Sequence, residues 1–182
     1  MLEEYAKIRA IRALASRPNC EFSVRSLAKE AGISPAAAGS SLEWMKEMGI
    51  ADLRVVGRTY QYRANLQSAL CRQWKALFSA NSLVESGVVW EILQKVPDVF
   101  SIMLYGSRAR GTDDEKSDYD LLAIAHKKTG VQIAALGKLD AEANFSLLSQ
   151  KEWEEKARKD KVFYENVIYE SIVLYGNRPV VL

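Results

Sequence analysis

The residues best suited to chemistry lie between Leu104 and Leu122. Gly106-Ser107 is followed by Arg108, Arg110 and Gly111, then by Thr112-Asp113-Asp114-Glu115-Lys116-Ser117, and then by Asp118-Tyr119-Asp120. Gly106 lets the backbone approach a ligand closely. Ser107 offers a hydroxyl and a backbone N–H, and exposed N–H groups at a helix start suit a phosphate. Arg108 and Arg110 add forked donors that match phosphate oxygens. Asp118 and Asp120 are two apart, so on a strand both side chains point to one face. Two carboxylates side by side repel unless a cation neutralises them. Mg²⁺ takes a few carboxylates and fills its shell with water and substrate phosphates. A phosphate cradle beside a carboxylate pair is the apparatus for phosphoryl or nucleotidyl transfer.

The compound pattern Gly106-Ser107…Gly111…Asp118-Tyr119-Asp120 resembles the signature of the DNA polymerase β nucleotidyltransferase superfamily, closest to its minimal members, over roughly residues 98–175. Gly-Ser or Asp-x-Asp alone is common; the two at this spacing, each beside an expected strand, are specific. The resemblance implies roles. Gly106 and Ser107 hold the β- and γ-phosphates of a nucleoside triphosphate, expected to be ATP, and Asp118 and Asp120 bind two Mg²⁺ ions. The family also carries a third carboxylate on a neighbouring strand. Glu142 is the candidate for that third catalytic and metal-binding position and Asp140 the runner-up, although Asp140-Ala141-Glu142-Ala143-Asn144 has no sharp motif.

Other polar residues have blander readings. Arg108 is a candidate nucleotide-binding residue, but Arg108 and Arg110 could instead pair with Asp113, Asp114 or Glu115, and exposed pairs of that kind contribute little. His126 reads as surface or structural, since two-metal chemistry needs no histidine.

The elements that must position this segment follow from periodicity. Val99–Tyr105 and Tyr119–Ala125 read as buried strands. A helix over Val131–Lys138 and a third strand over Glu142–Leu148 follow, and Ser149-Gln150-Lys151-Glu152 is a capping box that opens a helix. A last helix (Val162–Glu170) and a strand (Ile172–Tyr175) close the pattern. Residues 66–95 read as two helical stripes separated at Asn81-Ser82, which are core or packing surfaces.

Upstream, Leu2, Tyr5, Ile8, Ile11, Leu14 and Ala15 recur at helical spacing. Ser23 can cap a short helix over Val24–Ala31, and Ser34-Pro35 opens a third helix that stops at Gly49. A strand from Ile50 to Val56, the turn Gly57-Arg58 and a strand from Thr59 to Arg63 complete a helix-turn-helix followed by a hairpin. This order resembles the winged-helix DNA-binding domains over about residues 4–64. The expected fold is therefore α+β: a winged helix (1–65), a helical connector (66–97) and a small mixed-sheet nucleotidyltransferase domain (98–182).

The third helix offers small side chains where a recognition helix usually carries long base readers. Arg25, Lys29, Ser34, Ser40, Arg54 and Arg58 are candidate contacts to double-stranded DNA, which favours modest affinity or low sequence selectivity. The competing reading is a winged helix used for dimerisation or protein contact, because residues 1–65 carry a charge of only +3.

Composition fits these readings. The 182 residues are 48% apolar and 26% charged with a net charge of +2, which excludes a strongly basic nucleic-acid coat and makes dominant disorder an implausible state. No apolar run spans a bilayer and the start is not signal-like, so a soluble, cytoplasmic protein without membrane partners is expected. Cys20 and Cys71 are most simply buried thiols. The leading expectation is a Mg²⁺-dependent nucleotidyltransferase moving an NMP from an NTP to an acceptor, with DNA, a partner protein as acceptor and a homodimer as possible associations. The alternative is a DNA-binding transcriptional regulator whose transferase-like domain only senses nucleotide. A small-molecule modifier is disfavoured, because the extra mass lies before the core.

Overall fold

The structure, a computed structural model, describes Tyr5 to Val181, so the expected helical residue Leu2 lies outside the described residues. The chain forms two compact units. The first runs to Phe78 and also takes in Gly111–Glu115; the second comprises Ser79–Arg110 and the chain from Lys116 onward.

In the first unit, α1 (Ala6–Ser16), α2 (Val24–Ala31) and α3 (Pro35–Glu47) precede an antiparallel hairpin of β1 (Ala51–Val56) and β2 (Thr59–Ala64). Ser23 and Ser26 cap α2 reciprocally, each side chain bonding the other's backbone N–H. Ser34 accepts the Ala37 N–H, with Pro35 in the first turn of α3. Ile11, Leu14, Leu27, Leu42, Met45 and Ile50 are fully buried together and give the unit its own core. Cys71 is buried in it, while Cys20 is only half-buried and packs at its margin, short of the burial expected from sequence.

The segment Gly111–Glu115 is held in this unit by specific bonds. Lys75 Nζ, nearly inaccessible, donates to Ala15 O at 2.7 Å and to Asp113 Oδ2 at 3.1 Å. Glu115 accepts from the Asn19 backbone N–H at 3.2 Å and from Asn19 Nδ2 at 3.0 Å. Gly111 has φ +68°, and a Cβ there would fall 2.0 Å from Arg72 O, so no side chain fits.

The second unit is built on a four-stranded sheet of β3 (Val99–Tyr105), β4 (Tyr119–Ala125), β5 (Ala143–Ser149) and β6 (Ile172–Gly176), in the order β5-β4-β3-β6. β4 and β5 are parallel and the other pairs antiparallel. Both faces of the central strands are covered, which explains their nearly continuous apolar runs. Ile102, Leu104, Leu121 and Ala123 pack beneath Val88 and Ile92 of α5 (Val88–Lys95). Met103, Leu122 and Ile124 pack on the other side against Trp153 of α7 (Gln150–Lys159) and against Val167 and Ile168 of α8 (Lys161–Glu170).

Two boundaries differ from the sequence reading. α4 (Ala69–Glu85) continues through Asn81-Ser82, and the break falls instead at Gly87, whose φ of +81° starts α5. Of the helix expected over Val131–Lys138, only a 3-10 segment at Ala134–Lys138 forms. Its start is fixed from outside: the Glu91 carboxylate accepts the Ala134 and Ala135 N–H groups at 3.0 and 2.7 Å. Among the described residues no helix is long and apolar enough to cross a membrane.

Candidate active site

The Gly-Ser and Asp-x-Asp segments meet at one end of the sheet. β3 ends at Tyr105 and passes directly into the single turn α6 (Gly106–Arg110). Asp118 immediately precedes β4 and Asp120 is its second residue. In the ladder, Tyr105 is paired with Asp120 and Asp120 with Asn144, so three strands place these residues in one row. The row lies on the face covered by α7 and α8, with Tyr105 edge-on to Phe163 at a centroid separation of 5.6 Å.

Gly106 is pressed against this row. Its φ is +76°, and a Cβ would lie 2.4 Å from Asp120 Oδ2. The position therefore disfavours side chains by its backbone conformation, and any Cβ there would push the Asp120 carboxylate aside. Burial, and secondarily the Asp120 charge, holds the Tyr105 hydroxyl above the ordinary tyrosine range.

The two carboxylates share one donor. Asn144 Nδ2 lies 3.2 Å from Asp120 Oδ1 and 3.4 Å from Asp118 Oδ2. Two carboxylate oxygens this close to one atom can together ligate a single divalent cation, of which Mg²⁺ is one that takes carboxylate oxygens. Among the described residues no group of three or more histidine, cysteine, aspartate or glutamate side chains is placed to hold a metal.

The other sequence candidates separate. Glu142 lies one residue before β5, where its carbonyl accepts the Tyr119 N–H at 2.8 Å; Asn144 rather than Glu142 occupies the ladder position beside Asp120. Asp140 accepts the Tyr119 hydroxyl at 3.0 Å. Arg108, expected at phosphate, is 8% exposed and donates through Nε and Nη2 to Ser117 O at 2.9 and 2.7 Å. Its guanidinium also lies over the Tyr119 ring, 3.9 Å from the centroid. Burial raises the Tyr119 hydroxyl pKa, with the Arg108 charge opposing it. Arg110 pairs with Glu170 at 3.0 Å, and His126 is exposed beside Phe100. Ser107 is half-buried in the first turn of α6.

In the first unit, Arg25, Lys29, Arg54 and Arg58 are all exposed. Arg25 and Lys29 are four apart on α2, Arg58 is in the hairpin turn, and Arg54 pairs with Glu21 at 3.5 Å. The hydroxyls of Ser34 and Ser40 are used by α3 itself: Ser34 accepts from Ala37 N and Ser40 donates to Ala37 O.

Sequence reasoning missed Asn144 and the clamp made by Arg108. The register that pairs Asn144 with Asp120 was the only signal for the first. Nothing in the string Gly-Ser-Arg distinguishes an arginine aimed at a ligand from one aimed at a carbonyl nine residues on.

A family model described as Polymerase beta, Nucleotidyltransferase matches residues 89–179, half of the chain. Among solved structures, a toxin-antitoxin determined with AMP-PNP is similar at 19% identity, covering 54% of this chain and 74% of that one, with a TM-score of 0.38. Sso10a-2, a DNA-binding protein from Sulfolobus solfataricus, is similar at 13% identity over 47% of this chain and 94% of that one, TM-score 0.37. A candidate nucleotidyltransferase from the same organism is similar at 18% identity over 54% of this chain and 85% of that one, TM-score 0.34. No curated protein matches the chain.

Proposed function

The chain belongs to the polymerase β nucleotidyltransferase family, and we propose that it transfers a nucleoside monophosphate from a triphosphate, expected to be ATP, to an acceptor, using Mg²⁺ held at Asp118 and Asp120. The observation that carries this reading is the joint placement of Gly106 and Asp120: the glycine, at positive φ, lies directly against the carboxylate, which a Cβ there would have to displace. The contact supports the reading because it brings the Gly-Ser segment and the Asp-x-Asp strand to one point.

In this reading Gly106 and Ser107 receive the terminal phosphates with backbone N–H groups and the serine hydroxyl. Asp118 and Asp120 hold the cation, which when bound neutralises the phosphate chain and the leaving pyrophosphate. Arg108 and Tyr119 keep Asp118 in place from behind. Burial of Tyr105 beside Asp120 contributes a neutral wall on one side of the site.

The first unit is proposed to be a winged helix that binds double-stranded DNA. Its three helices and hairpin, with exposed Arg25, Lys29 and Arg58, support electrostatic contact to phosphates. With Ser34 and Ser40 engaged by their own helix, such contact depends on the basic side chains alone. A second reading, a DNA-binding regulator that senses nucleotide without turnover, is favoured by one observation: an amide, Asn144, stands beside Asp120 where the family resemblance leads one to expect a carboxylate.

Calorimetric titration of ATP with and without Mg²⁺, on the wild type and on the double variant Asp118→Asn/Asp120→Asn, tests the nucleotide site. Metal-dependent binding that disappears in the variant supports it. Absence of nucleotide binding by the wild type refutes it for this chain. Labelled nucleotide transferred to an acceptor then separates an enzyme from a sensor.

A further inference from the structure

We infer that Asn144 limits this chain to one divalent cation at the Asp118–Asp120 pair, the cation that accompanies the triphosphate. The inference rests on the proposed nucleotide site and adds its metal stoichiometry.

The ladder fixes the argument. Asp120 has two cross-strand neighbours in its row, Tyr105 and Asn144. The first is a phenol, which brings no carboxylate to the row. The second is an amide, neutral at every pH at which the protein folds. The charge facing the site from this row and from Asp118 is therefore that of two carboxylates.

Two divalent cations about 3.5–4 Å apart repel strongly and are held together by carboxylates that bridge them, together with further anionic ligands for each. Each of Asp118 and Asp120 can bridge two ions, but with an amide at Asn144 the row holds no further carboxylate to serve the second ion. The remaining candidates are placed elsewhere: Asp140 accepts the Tyr119 hydroxyl, and Glu142 precedes the strand.

Asn144 is nevertheless well suited to a single ion. Its amide spans both carboxylates, 3.2 and 3.4 Å away. Rotating the amide by half a turn puts Oδ1 where Nδ2 now lies, which converts a donor between two acceptors into a neutral third oxygen ligand. Without a cation the amide bridges the pair; with one, its oxygen can join them. The acceptor hydroxyl, by the same argument, is not deprotonated by a third carboxylate at Asn144.

The test is a Mn²⁺ titration of the full chain, followed by electron paramagnetic resonance, with a non-hydrolysable ATP analogue present. Asn144→Asp and Asn144→Ala are compared with the wild type. The expected result is about one Mn²⁺ per chain in the wild type and in Asn144→Ala, and a second in Asn144→Asp, whose added charge also tightens the first by roughly tenfold. Two ions in the wild type overturn the inference and leave the nucleotide site standing. A single ion in a folded Asn144→Asp variant also overturns it. Absence of nucleotide-dependent Mn²⁺ binding in every form overturns this inference and the proposed site together. The wild-type count decides the matter even if Asn144→Asp does not fold.

Discussion

Arg108 fixes the approach to Asp118 by gripping the residue before it: two of its nitrogens donate to a single oxygen, the carbonyl of Ser117, at 2.9 and 2.7 Å. The arginine is thus a structural link between the Gly-Ser turn and the Asp-x-Asp strand, with its charge directed at a backbone dipole and at the Tyr119 ring. Arg108→Met is expected to lower unfolding free energy by about 2–3 kcal/mol, the scale of a lost charge-assisted hydrogen bond. Urea denaturation measures this. Arg108→Lys should recover part of the stability but not nucleotide affinity, because a single ammonium cannot reproduce the fork. Equal affinity in Arg108→Lys and wild type would show that Asp118 does not depend on it.

Gly106→Ala is the sharpest test of the close approach to Asp120. The strained φ costs on the order of 1–2 kcal/mol, and the methyl group must displace the carboxylate. Metal-dependent nucleotide binding should fall by far more than that stability loss explains. Transfer, where it is observed, should drop on the order of 100-fold, as expected for a misplaced reacting group. Calorimetry and a thermal melt on the same sample separate the two effects.

Lys75→Met removes one partner of a buried ion pair and leaves the Asp113 carboxylate behind. A loss of about 3–5 kcal/mol is expected. Lys75→Met combined with Asp113→Leu should restore most of it, since the buried carboxylate is then gone. A double variant no more stable than the single one would show that the hydrogen bond to Ala15 O, rather than the charge pair, carries the contribution.

Glu91 should contribute to the acid sensitivity of the fold. Its bond from Lys95, and then the N–H groups of Ala135 and Ala134, hold its carboxyl down to about 2. An unfolded-chain value near 4.3 lies above this. Glu91 therefore favours the folded state fully above about pH 4.5, and that contribution is lost as pH falls toward 2. Glu91→Gln should make the stability profile less steep in that window, with Glu43, Glu115, Glu152 and Asp160 supplying the remaining slope; an unchanged profile would mean the Glu91 carboxylate is not ionised preferentially in the fold.

Binding of duplex DNA, if it occurs through the exposed cations, must respond to salt. Removing Arg25, Lys29 and Arg58 should reduce the slope of log affinity against log salt by about 0.9 for each phosphate that is no longer neutralised. Substituting Ser34 or Ser40 should act chiefly on α3 stability, because both hydroxyls serve that helix. A slope unaffected by the arginine and lysine changes would place the binding surface elsewhere.

The sequence made the short, strongly patterned elements legible. Ser23, Ser34 and Ser149 announce helix starts through local chemistry, and Gly106-Ser107 with Asp118 and Asp120 announces the site. What stayed illegible depends on partners far along the chain. The helix expected across Val131–Lys138 reduces to a 3-10 segment whose first N–H groups bond to Glu91, more than forty residues earlier. The role of Asn144 depends on parallel register with β4, which no local periodicity encodes. Arg108 carries the same charge whether it faces a phosphate or a carbonyl; only the folded path of residues 109–117 decides between them.

The placement of Gly111–Glu115 has a consequence for the order in which the protein can be made. Residues up to Phe78 leave the ribosome first, yet their compact unit includes a segment synthesised more than thirty residues later. Until Asp113 emerges, Lys75 has a backbone carbonyl but no counter-ion in an otherwise closed interior. The N-terminal unit can collapse early around Leu14, Leu27 and Leu42, but it reaches its final stability only after the strand and turn bearing Gly106 have been translated. During translation, maturation of the first unit thus waits on the same stretch of chain that builds the candidate catalytic site.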